Sequence, residues 1–387
     1  MPEGKEFVPF ALPDIGEDEV SAAAEAIRSG WLTTGPRSAA FEEEFADFIG
    51  GGVEAIAVNS ATAGLHLALE AAGVGPGDEV LVPTWTFTAT AEVVRYLGAT
   101  PILVDVDRET LCIDFGSAAA AITSRTRAVM PVHVAGIAID GDKLRDFCES
   151  YNLVAIEDAA HALPATSNGV LVGAGSSLAT VYSFYATKTI TTGEGGMVVT
   201  RDPEIANRIR TMRLHGISRD VFNRYRSASS SWFYEVVAPG YKYNLTDPAA
   251  AIGRVQLSRA WEMRGNRTAI ASRYDSAFSH LPLRLPAHPP EGDVHSWHLY
   301  IIRLADARLS RDEFIAQMSN LGVGCSVHFI PLHKHPVWRD LGGYQDSDFP
   351  VASAEFEDVV SLPIFSSMSG PQVETVISAV THLLGDS

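Results

Sequence analysis

The sequence predicts an α/β protein, with a large domain built on a mostly parallel β-sheet and a smaller α+β domain after it. Between about residues 53 and 200, short apolar runs alternate with helical patterns, which is typical of a sheet covered by helices on both faces. After a proline-rich stretch at 282–290, a strand pattern at 297–303 and further helical patterns follow. We therefore predict a large domain at 1–250 and a small domain at 251–387, since 387 residues exceed one average domain.

The strand candidates of the large domain are short apolar segments: 53–58, 79–83, 101–106, 128–134, 153–157, 179–185 and 196–200. A helical face is clearest in 62–72, where Leu65, Leu69 and Ala72 recur at helical spacing. Asp247 is expected to cap a helix that carries Pro248 in its first turn. Ser310 and Glu313 are spaced as a capping box. Ligands of such sheets bind beyond the carboxyl ends of the strands, so a binding site is expected there.

Composition and charge exclude several classes of protein. The chain has 29 Lys+Arg against 47 Asp+Glu, and a net charge of −18 argues against a nucleic-acid binder. Three widely spaced cysteines, Cys112, Cys148 and Cys325, predict a reducing compartment instead of a disulfide framework or a zinc site. Neither a secretory signal nor an apolar stretch of about 18 residues is visible. We predict a cytoplasmic protein without a membrane segment.

Lys188 is one of only five lysines, and it lies in SFYATKTITTGEGGM, directly after a strand candidate. A lysine partly withdrawn from water there would have a lowered pKa and could attack an aldehyde. The same segment is equally compatible with a lysine that neutralises an anion or that lies exposed in a loop.

Glu157 and Asp158 end the strand candidate 153–157, and His161 follows three residues later. A carboxylate in a cleft can keep a heterocyclic nitrogen protonated, which makes the ring an electron sink, as pyridoxal phosphate chemistry requires. His161 could lie against the same ring. A metal-binding Asp/His pair or a helix N-cap is an open alternative.

Ser60 and Thr62 follow the strand candidate 53–58 where a helix begins, a usual place for a phosphate, and Ser183 is a further hydroxyl in reach. Trp85 and Phe87, after strand 79–83, are either ring-stacking or core residues. An amine nucleophile, a carboxylate, an aromatic ring and a phosphate site would thus follow different strands. That combination matches pyridoxal phosphate.

These segments resemble the DegT/DnrJ-type nucleotide-sugar aminotransferases over nearly the whole chain. The resemblance is carried by GWLTTGP (30–36), NSATAGLHLAL (59–69), VPTWTFTAT (82–90), EDAAHA (157–162), SFYATKTITTGEGGMVVT (183–200), YKYNLTDPAAAIGRVQL (241–257), SWHLYIIRL (296–304) and GVGCSVHFIPLHKHP (322–336). It implies the aspartate-aminotransferase-like fold type I, with a mixed, mostly parallel sheet.

The resemblance also implies roles for individual residues. Lys188 would bind pyridoxal phosphate covalently, Asp158 would pair with its ring nitrogen, and Phe87 and His161 would flank the ring. The implied phosphate contacts are Ser60, Ala61, Thr62, Ser183 and, from a partner subunit, Asn244. A site shared between chains implies a homodimer.

The implied reaction moves the amino group of L-glutamate, through pyridoxamine phosphate, to a nucleoside-diphosphate 4-keto-6-deoxyhexose linked to dTDP or UDP. GWLTTGP, YKYNL and VHFIPLHKHP are more similar to relatives that aminate the 4-position than the 3-position. Thr33, Thr34 and His328 are the candidate substrate contacts, and Lys242 or Arg226 could meet the diphosphate.

Three alternatives remain at this stage. One is amination of a 3-keto sugar, and another is a regulator that binds pyridoxal phosphate without catalysis. The third is a metalloenzyme, because several histidines cluster near the C-terminus: His295, His298, His328, His333 and His335. Their spacing matches no helical zinc pair, so we expect no metal.

Overall fold

The computed structural model describes residues 7–217, 234–304 and 307–385. In these ranges the strands are β1 (Glu54–Val58), β2 (Glu79–Pro83), β3 (Thr100–Val104), β4 (Thr126–Val129), β5 (Val154–Asp158), β6 (Thr166–Ser167), β7 (Val170–Leu171), β8 (Ala179–Ser183), β9 (Gly196–Thr200), β10 (Tyr300–Arg303) and β11 (Val359–Leu362). Seven of them form the central sheet in the order β1-β9-β8-β5-β4-β2-β3. β9 is antiparallel to both of its neighbours, and the other neighbours pair in parallel. The carboxyl ends of all strands except β9 therefore share one edge.

The helices of the same ranges are α1 (Glu17–Arg28), α2 (Pro36–Ile49), α3 (Ala61–Ala71), α4 (Ala89–Tyr96), α5 (Phe115–Ala120), α6 (Gly141–Tyr151), α7 (Pro203–Met212), α8 (Asp247–Ser258), α9 (Ala260–Phe278), α10 (Arg311–Asn320), α11 (Pro336–Gly342), α12 (Pro350–Asp358) and α13 (Gly370–Leu384). The predicted strands of the sheet are all present: 79–83 and 196–200 have the predicted ends, and the ends of the others are shifted. The segment 128–134 contributes only β4, because the chain leaves the sheet at Pro131 and enters a 3₁₀ turn at Val134–Gly136. The capping box of Ser310 and Glu313 is confirmed at the start of α10.

The expected N-cap role of Asp247 is wrong. Thr246 is the N-cap of α8, and Asp247 is its first helical residue. The fully buried Asp247 carboxylate instead accepts hydrogen bonds from the backbone N–H groups of Gly35 (2.7 Å), Ser38 (3.0 Å) and Arg37 (3.1 Å). It thereby caps α2, about 210 residues away in the chain. This contact depends on tertiary structure, which no local pattern reports.

A second hydrophobic layer forms on the two-stranded sheet β10–β11 with α9, α10 and α13, where Tyr274, Phe314 and Val360 are fully buried. The chain does not separate cleanly at residue 250, however. That position lies inside α8, and Leu332 and Trp338 pack into the core of the large sheet. The division into two domains at 250 stays a prediction.

Two findings bear on the environment of the protein. None of the described helices is both long enough and apolar enough to span a lipid bilayer. Cys112, Cys148 and Cys325 are all free of disulfide bonds. Burial raises the pKa of each of these thiols to about 12, so all three are protonated at neutral pH.

Candidate active site

A cavity of about 490 Å³ opens at the carboxyl ends of β1, β2, β5 and β8. Among the residues that line it are all the predicted cofactor residues except Asn244: Ser60, Ala61, Thr62, Phe87, Asp158, His161, Ser183 and Lys188. His298, His328 and Phe329 also line the cavity. These residues therefore line one cavity, as their positions after the strand ends predicted. The role of each residue remains a prediction.

Lys188 lies in the loop between β8 and β9, where its backbone N–H donates to the Tyr185 carbonyl (2.9 Å). Burial lowers the pKa of Lys188 from 10.5 to about 8, although the nearby Asp158 carboxylate opposes the shift. At pH 7 the unprotonated fraction is then about one tenth, roughly 300-fold more than for an ordinary lysine. Lys188 is therefore suited to act as an amine nucleophile.

We expect the reactivity of Lys188 with an amine-specific reagent to rise with pH and to level off above about 8, because the unprotonated amine is the reacting form. Competitive labelling of the cofactor-free protein, read by mass spectrometry at a series of pH values, measures this. Lys143, whose side chain is 73% exposed, is the internal reference. A labelling profile of Lys188 that coincides with that of Lys143 would contradict the assignment.

The loop that carries Lys188 is hydrogen-bonded to Gln256 of α8. The Gln256 side-chain oxygen accepts the backbone N–H of Thr191 (3.1 Å), and its amide nitrogen donates to the Glu19 carboxylate (2.7 Å) and the Asp14 carbonyl (2.8 Å). Gln256 is almost completely buried. The loop is thus fixed to α1 and to the segment before it.

Asp158, and not its neighbour Glu157, faces the cavity. Successive side chains of a strand point to opposite faces, and the Glu157 carboxylate is bound on the other side by His133 (2.9 Å) and Thr180 (3.0 Å). Burial raises the pKa of Asp158, while hydrogen bonds from Ala160 and Thr90 and the charge of Lys188 oppose that rise.

A helix N-terminus closes another side of the cavity. Ser60 is the N-cap of α3 and its hydroxyl accepts the Ala63 N–H (3.1 Å), which leaves the N–H groups of Ala61 and Thr62 without a partner in the helix. A Cβ on Gly196 would lie 2.8 Å from the Ala61 nitrogen, so only glycine lets β9 approach this turn. The arrangement suits a phosphate group.

His298 belongs to the cavity, although the sequence suggested it only as a metal ligand. Its ring lies 4.3 Å from that of His161, centroid to centroid, and His161 is stacked on Phe329 at 5.7 Å. Burial, reinforced by the charge of Lys188, lowers the pKa of both histidines, so both rings are neutral. The Nδ1 atoms of His161 and His298 are buried without a hydrogen-bond partner. In the sequence, the strand pattern at 297–303 was the signal that could have placed His298 near the end of a strand.

His328 joins the cavity wall to the N-terminal segment. Its Nδ1 lies 3.1 Å from the Ser361 hydroxyl, and its ring is stacked on Phe10 at 5.0 Å. Burial lowers the pKa of His328 to about 4. Its carbonyl accepts the indole N–H of Trp85 (3.1 Å), which is fully buried in the core, whereas Phe87 is 60% exposed at the cavity. Of the two candidate stacking residues, only Phe87 reaches the cavity.

Further hydrogen bonds tie the residues after His328 to the loop between β2 and α4. The Leu332 N–H donates to the Thr84 carbonyl (2.7 Å), and the Thr84 hydroxyl lies 2.8 Å from Nδ1 of His333. The Trp338 indole N–H donates to the Thr88 hydroxyl (3.1 Å). These hydrogen bonds therefore join the 84–88 loop to the segment that follows His328.

Four predicted residues lie together outside this cavity. Asn244 pairs with Val58 at the edge of the sheet and donates to the Thr34 hydroxyl (2.7 Å), which in turn donates to a backbone carbonyl. Thr33 and Lys242 adjoin them, with the Lys242 ammonium in contact with the Asn244 side-chain oxygen. Arg226 lies outside the described residues.

The metal-centre alternative gains no support from the described ranges, in which no three His, Cys, Asp or Glu side chains are arranged to hold a metal ion. His333 is instead engaged with Thr84 and with the Ser353 hydroxyl (3.0 Å), and His295 is stacked on Trp297 at 4.0 Å. These two histidines have structural partners.

Residues 13–381 match the model of the DegT/DnrJ/EryC1/StrS aminotransferase family. The chain belongs to this family. One relative in the family is the spore coat polysaccharide biosynthesis protein SpsC of Bacillus subtilis, 44% identical over 98% of this chain and 97% of its own. The aminotransferase prediction and the resemblance are thereby confirmed.

Solved relatives support the same conclusion about fold. Spr1654 of Streptococcus pneumoniae, described as a sugar aminotransferase, is 34% identical, with a TM-score of 0.89 over 97% of this chain and 98% of its own. It was solved in both PMP and PLP forms. Helicobacter pylori PseC, an aminotransferase of pseudoaminic acid biosynthesis, is 28% identical, with a TM-score of 0.88 over 99% of this chain and 100% of its own. This DegT/DnrJ/EryC1/StrS member therefore has the predicted fold type I.

Proposed function

We propose that this protein is a pyridoxal-phosphate-dependent aminotransferase that moves the amino group of L-glutamate to the keto carbon of a nucleoside-diphosphate 4-keto-6-deoxyhexose. The observation that carries the proposal is the pairing of Lys188 and Asp158 in one cavity, each acting electrostatically on the other. The PLP and PMP forms of the pneumococcal relative favour the same cofactor, with the pyridoxamine form as its amino-carrying state.

The residues of the cavity fit this cofactor. When bound, pyridoxal phosphate supplies a carbonyl for amine exchange and a ring that accepts the electron pair released at the reacting carbon. Lys188 would hold the cofactor through its amine, and the same amine, when free, would carry a proton at the reacting carbon. The Asp158 carboxylate holds the proton of the ring nitrogen. The first turn of α3 and Ser183 would hold the phosphate, and Phe87 and His161 would contact the ring.

L-Glutamate and the keto sugar would use the same cavity in turn, since Lys188 and Asp158 can act on only one of them at a time. Two half-reactions in one site predict ping-pong kinetics. His328 lines the same cavity as Asp158 and is our candidate contact for the sugar. The description of SpsC names polysaccharide biosynthesis and that of Spr1654 names a sugar aminotransferase, which supports a carbohydrate substrate. The free cysteines support a cytoplasmic location.

The charge of the cavity supports a homodimer with shared active sites. Among the described residues that line it, Lys188 is the only lysine or arginine, and Asp158 and Glu194 oppose it. Yet the cofactor phosphate, glutamate and a nucleoside diphosphate are all anions, which need positive or N–H donor groups. We propose that a second copy of the chain supplies them, with Asn244 to the phosphate and Lys242 to the diphosphate, together with Thr33 and Thr34.

We expect mixed dimers of two inactive variants to recover activity. Lys188→Ala removes the nucleophile, and Asn244→Asp places a carboxylate against the phosphate. Random mixing should restore about a quarter of wild-type activity, because half of the dimers are mixed and each has one intact site. Activity after refolding a mixture of the two variants measures this. If both residues served a site in the same protomer, no mixed dimer would be active.

The substrate is tested by incubating the enzyme with L-glutamate and a panel of dTDP- and UDP-linked 4-keto and 3-keto hexoses, with NMR of the product. We expect an amine at position 4. Amination of the 3-keto sugars alone would favour that alternative and contradict the proposal. Bound cofactor without any turnover over the whole panel would point to the non-catalytic regulator.

A further inference from the structure

We propose that Thr90, hydrogen-bonded to Thr86, is a positioning residue that orients the Asp158 carboxylate toward the cofactor ring and favours its ionised form. The inference rests on the proposed function, because it concerns the group that Asp158 would bind. Thr90 touches neither substrate nor cofactor in this proposal and acts through Asp158 alone.

Three short contacts carry the proposal. The Thr90 hydroxyl lies 2.9 Å from Oδ2 of Asp158, and the Thr86 hydroxyl lies 2.8 Å from the Thr90 hydroxyl. The backbone N–H of Ala160 donates to the other carboxylate oxygen (3.1 Å). Thr86, Thr90 and Asp158 are all buried. Each oxygen of the Asp158 carboxylate therefore has one fixed donor from the protein.

The directions of these hydrogen bonds follow from counting protons. The single Thr90 hydroxyl proton has three possible acceptors: the Thr86 hydroxyl oxygen at 2.8 Å, Oδ2 of Asp158 at 2.9 Å and the Phe87 carbonyl at 3.3 Å. The carboxylate is the strongest of these acceptors, so Thr90 donates to it. The Thr86 hydroxyl must then donate to the Thr90 oxygen. The result is a directed chain, Thr86 to Thr90 to Asp158, which strengthens the last bond.

These two hydrogen bonds matter because burial disfavours the charged form of the Asp158 carboxylate. Burial raises the pKa of Asp158, while Lys188, from the loop after β8, and His133, which follows β4 and binds Glu157 on the other face of β5, act on it electrostatically; the neutral His161 lines the same cavity. A donated hydrogen bond favours the ionised carboxylate. Without the Thr90 hydroxyl, more of Asp158 would be protonated, and it would bind the ring nitrogen less firmly.

The sequence of the β2–α4 loop explains why these hydroxyls are available together. Thr86 and Thr90 are four residues apart, on either side of the N-terminus of α4, and the exposed Phe87 lies between them. This short segment therefore supplies both the Phe87 ring, which lines the cavity, and the two hydroxyl groups that link to Asp158. Thr88, in the same turn, bonds Trp338 and Glu92 instead.

The test compares Thr90→Val, which keeps the shape but loses the hydroxyl, with Thr90→Ser, which keeps the hydroxyl. Two readouts are measured: the Kd of the cofactor-free protein for pyridoxal 5′-phosphate, and the pH midpoint of the visible absorbance of the loaded protein. We expect Thr90→Val to raise Kd by about tenfold or more and to shift the midpoint, since a hydrogen bond to a charged group is lost. Thr90→Ser should restore both values. Thr375→Val, on α13, where the Thr375 hydroxyl donates to the Pro371 carbonyl (2.9 Å), is the matched control and should leave both unchanged.

Thr86→Val keeps the test valid should Thr90→Val fail to fold, because Thr86 does not touch the carboxylate. It should change both readouts in the same direction but by less. A wild-type Kd and midpoint in Thr90→Val, or a Thr90→Ser variant as impaired as Thr90→Val, would overturn the inference. Asp158→Asn separates this failure from that of the proposed function: if it too leaves both readouts unchanged, the cofactor role of Asp158 itself is wrong.

Discussion

Replacing Lys188 with alanine is expected to lower the transamination rate by about 10⁴-fold or more, because one side chain provides both the nucleophile and the proton carrier. The described lining of the cavity offers no second lysine that could substitute for it. The release of 2-oxoglutarate from L-glutamate measures the first half-reaction. Borohydride reduction of the loaded wild type should also fix the cofactor on the peptide that contains Lys188, and the variant should give no such adduct.

Lys143→Ala is the control for this experiment. Lys143 is exposed on α6, where it pairs with Asp140 at 3.7 Å, so its removal should leave both readouts at wild-type values. Transamination by Lys188→Ala at the wild-type rate would exclude the amine role. So would a borohydride adduct on a different lysine in the wild type.

The second large effect concerns Asp158. Asp158→Asn keeps the size of the side chain, but it removes the negative charge that would hold the ring nitrogen protonated. We expect the rate of the first half-reaction to fall by about 10³-fold, the scale on which preorganised electrostatic groups contribute to catalysis. Single-turnover kinetics with L-glutamate measures this step without the sugar.

Glu157→Gln provides a neighbouring comparison, because it removes a charge of the same strand that points away from the cavity. Its half-reaction rate should stay within about tenfold of wild type, since general packing effects alone remain. Equal losses in the two variants would mean that the effect of Asp158 arises from the stability of β5 and not from contact with the ring. A larger loss of rate in Asp158→Asn than in Glu157→Gln would therefore support contact between Asp158 and the ring.

The sequence was sufficient to predict the part of the site that follows the strands. Lys188, Asp158 and Ser60 come within a few residues of strand ends, and a parallel sheet brings such ends to one edge whatever the details of packing. The choice of Asp158 over Glu157 needed more than this rule. It came from the resemblance, and the alternation along β5 gives its physical reason.

Contacts between distant segments could not be predicted in this way. Asp247 has the local pattern of an N-cap, yet its carboxylate finds the N–H groups of another helix. His298 lies 137 residues after His161, and only the folded chain brings the two rings together. The proposed role of the Thr90 hydroxyl likewise depends on Asp158. Asp158 belongs to β5, which is not adjacent to β2 in the sheet.

The bonds between the 84–88 loop and the residues around 328–338 have a consequence for how the polypeptide can be divided. An isolated fragment 1–250 would lack the carbonyl that accepts the Trp85 indole N–H and would leave a gap where Leu332 and Trp338 fill the interior. A buried donor without a partner and an apolar void are each destabilising. We therefore expect the fragment 1–250 to be less stable on its own than within the full polypeptide, because residues of the C-terminal third complete its interior.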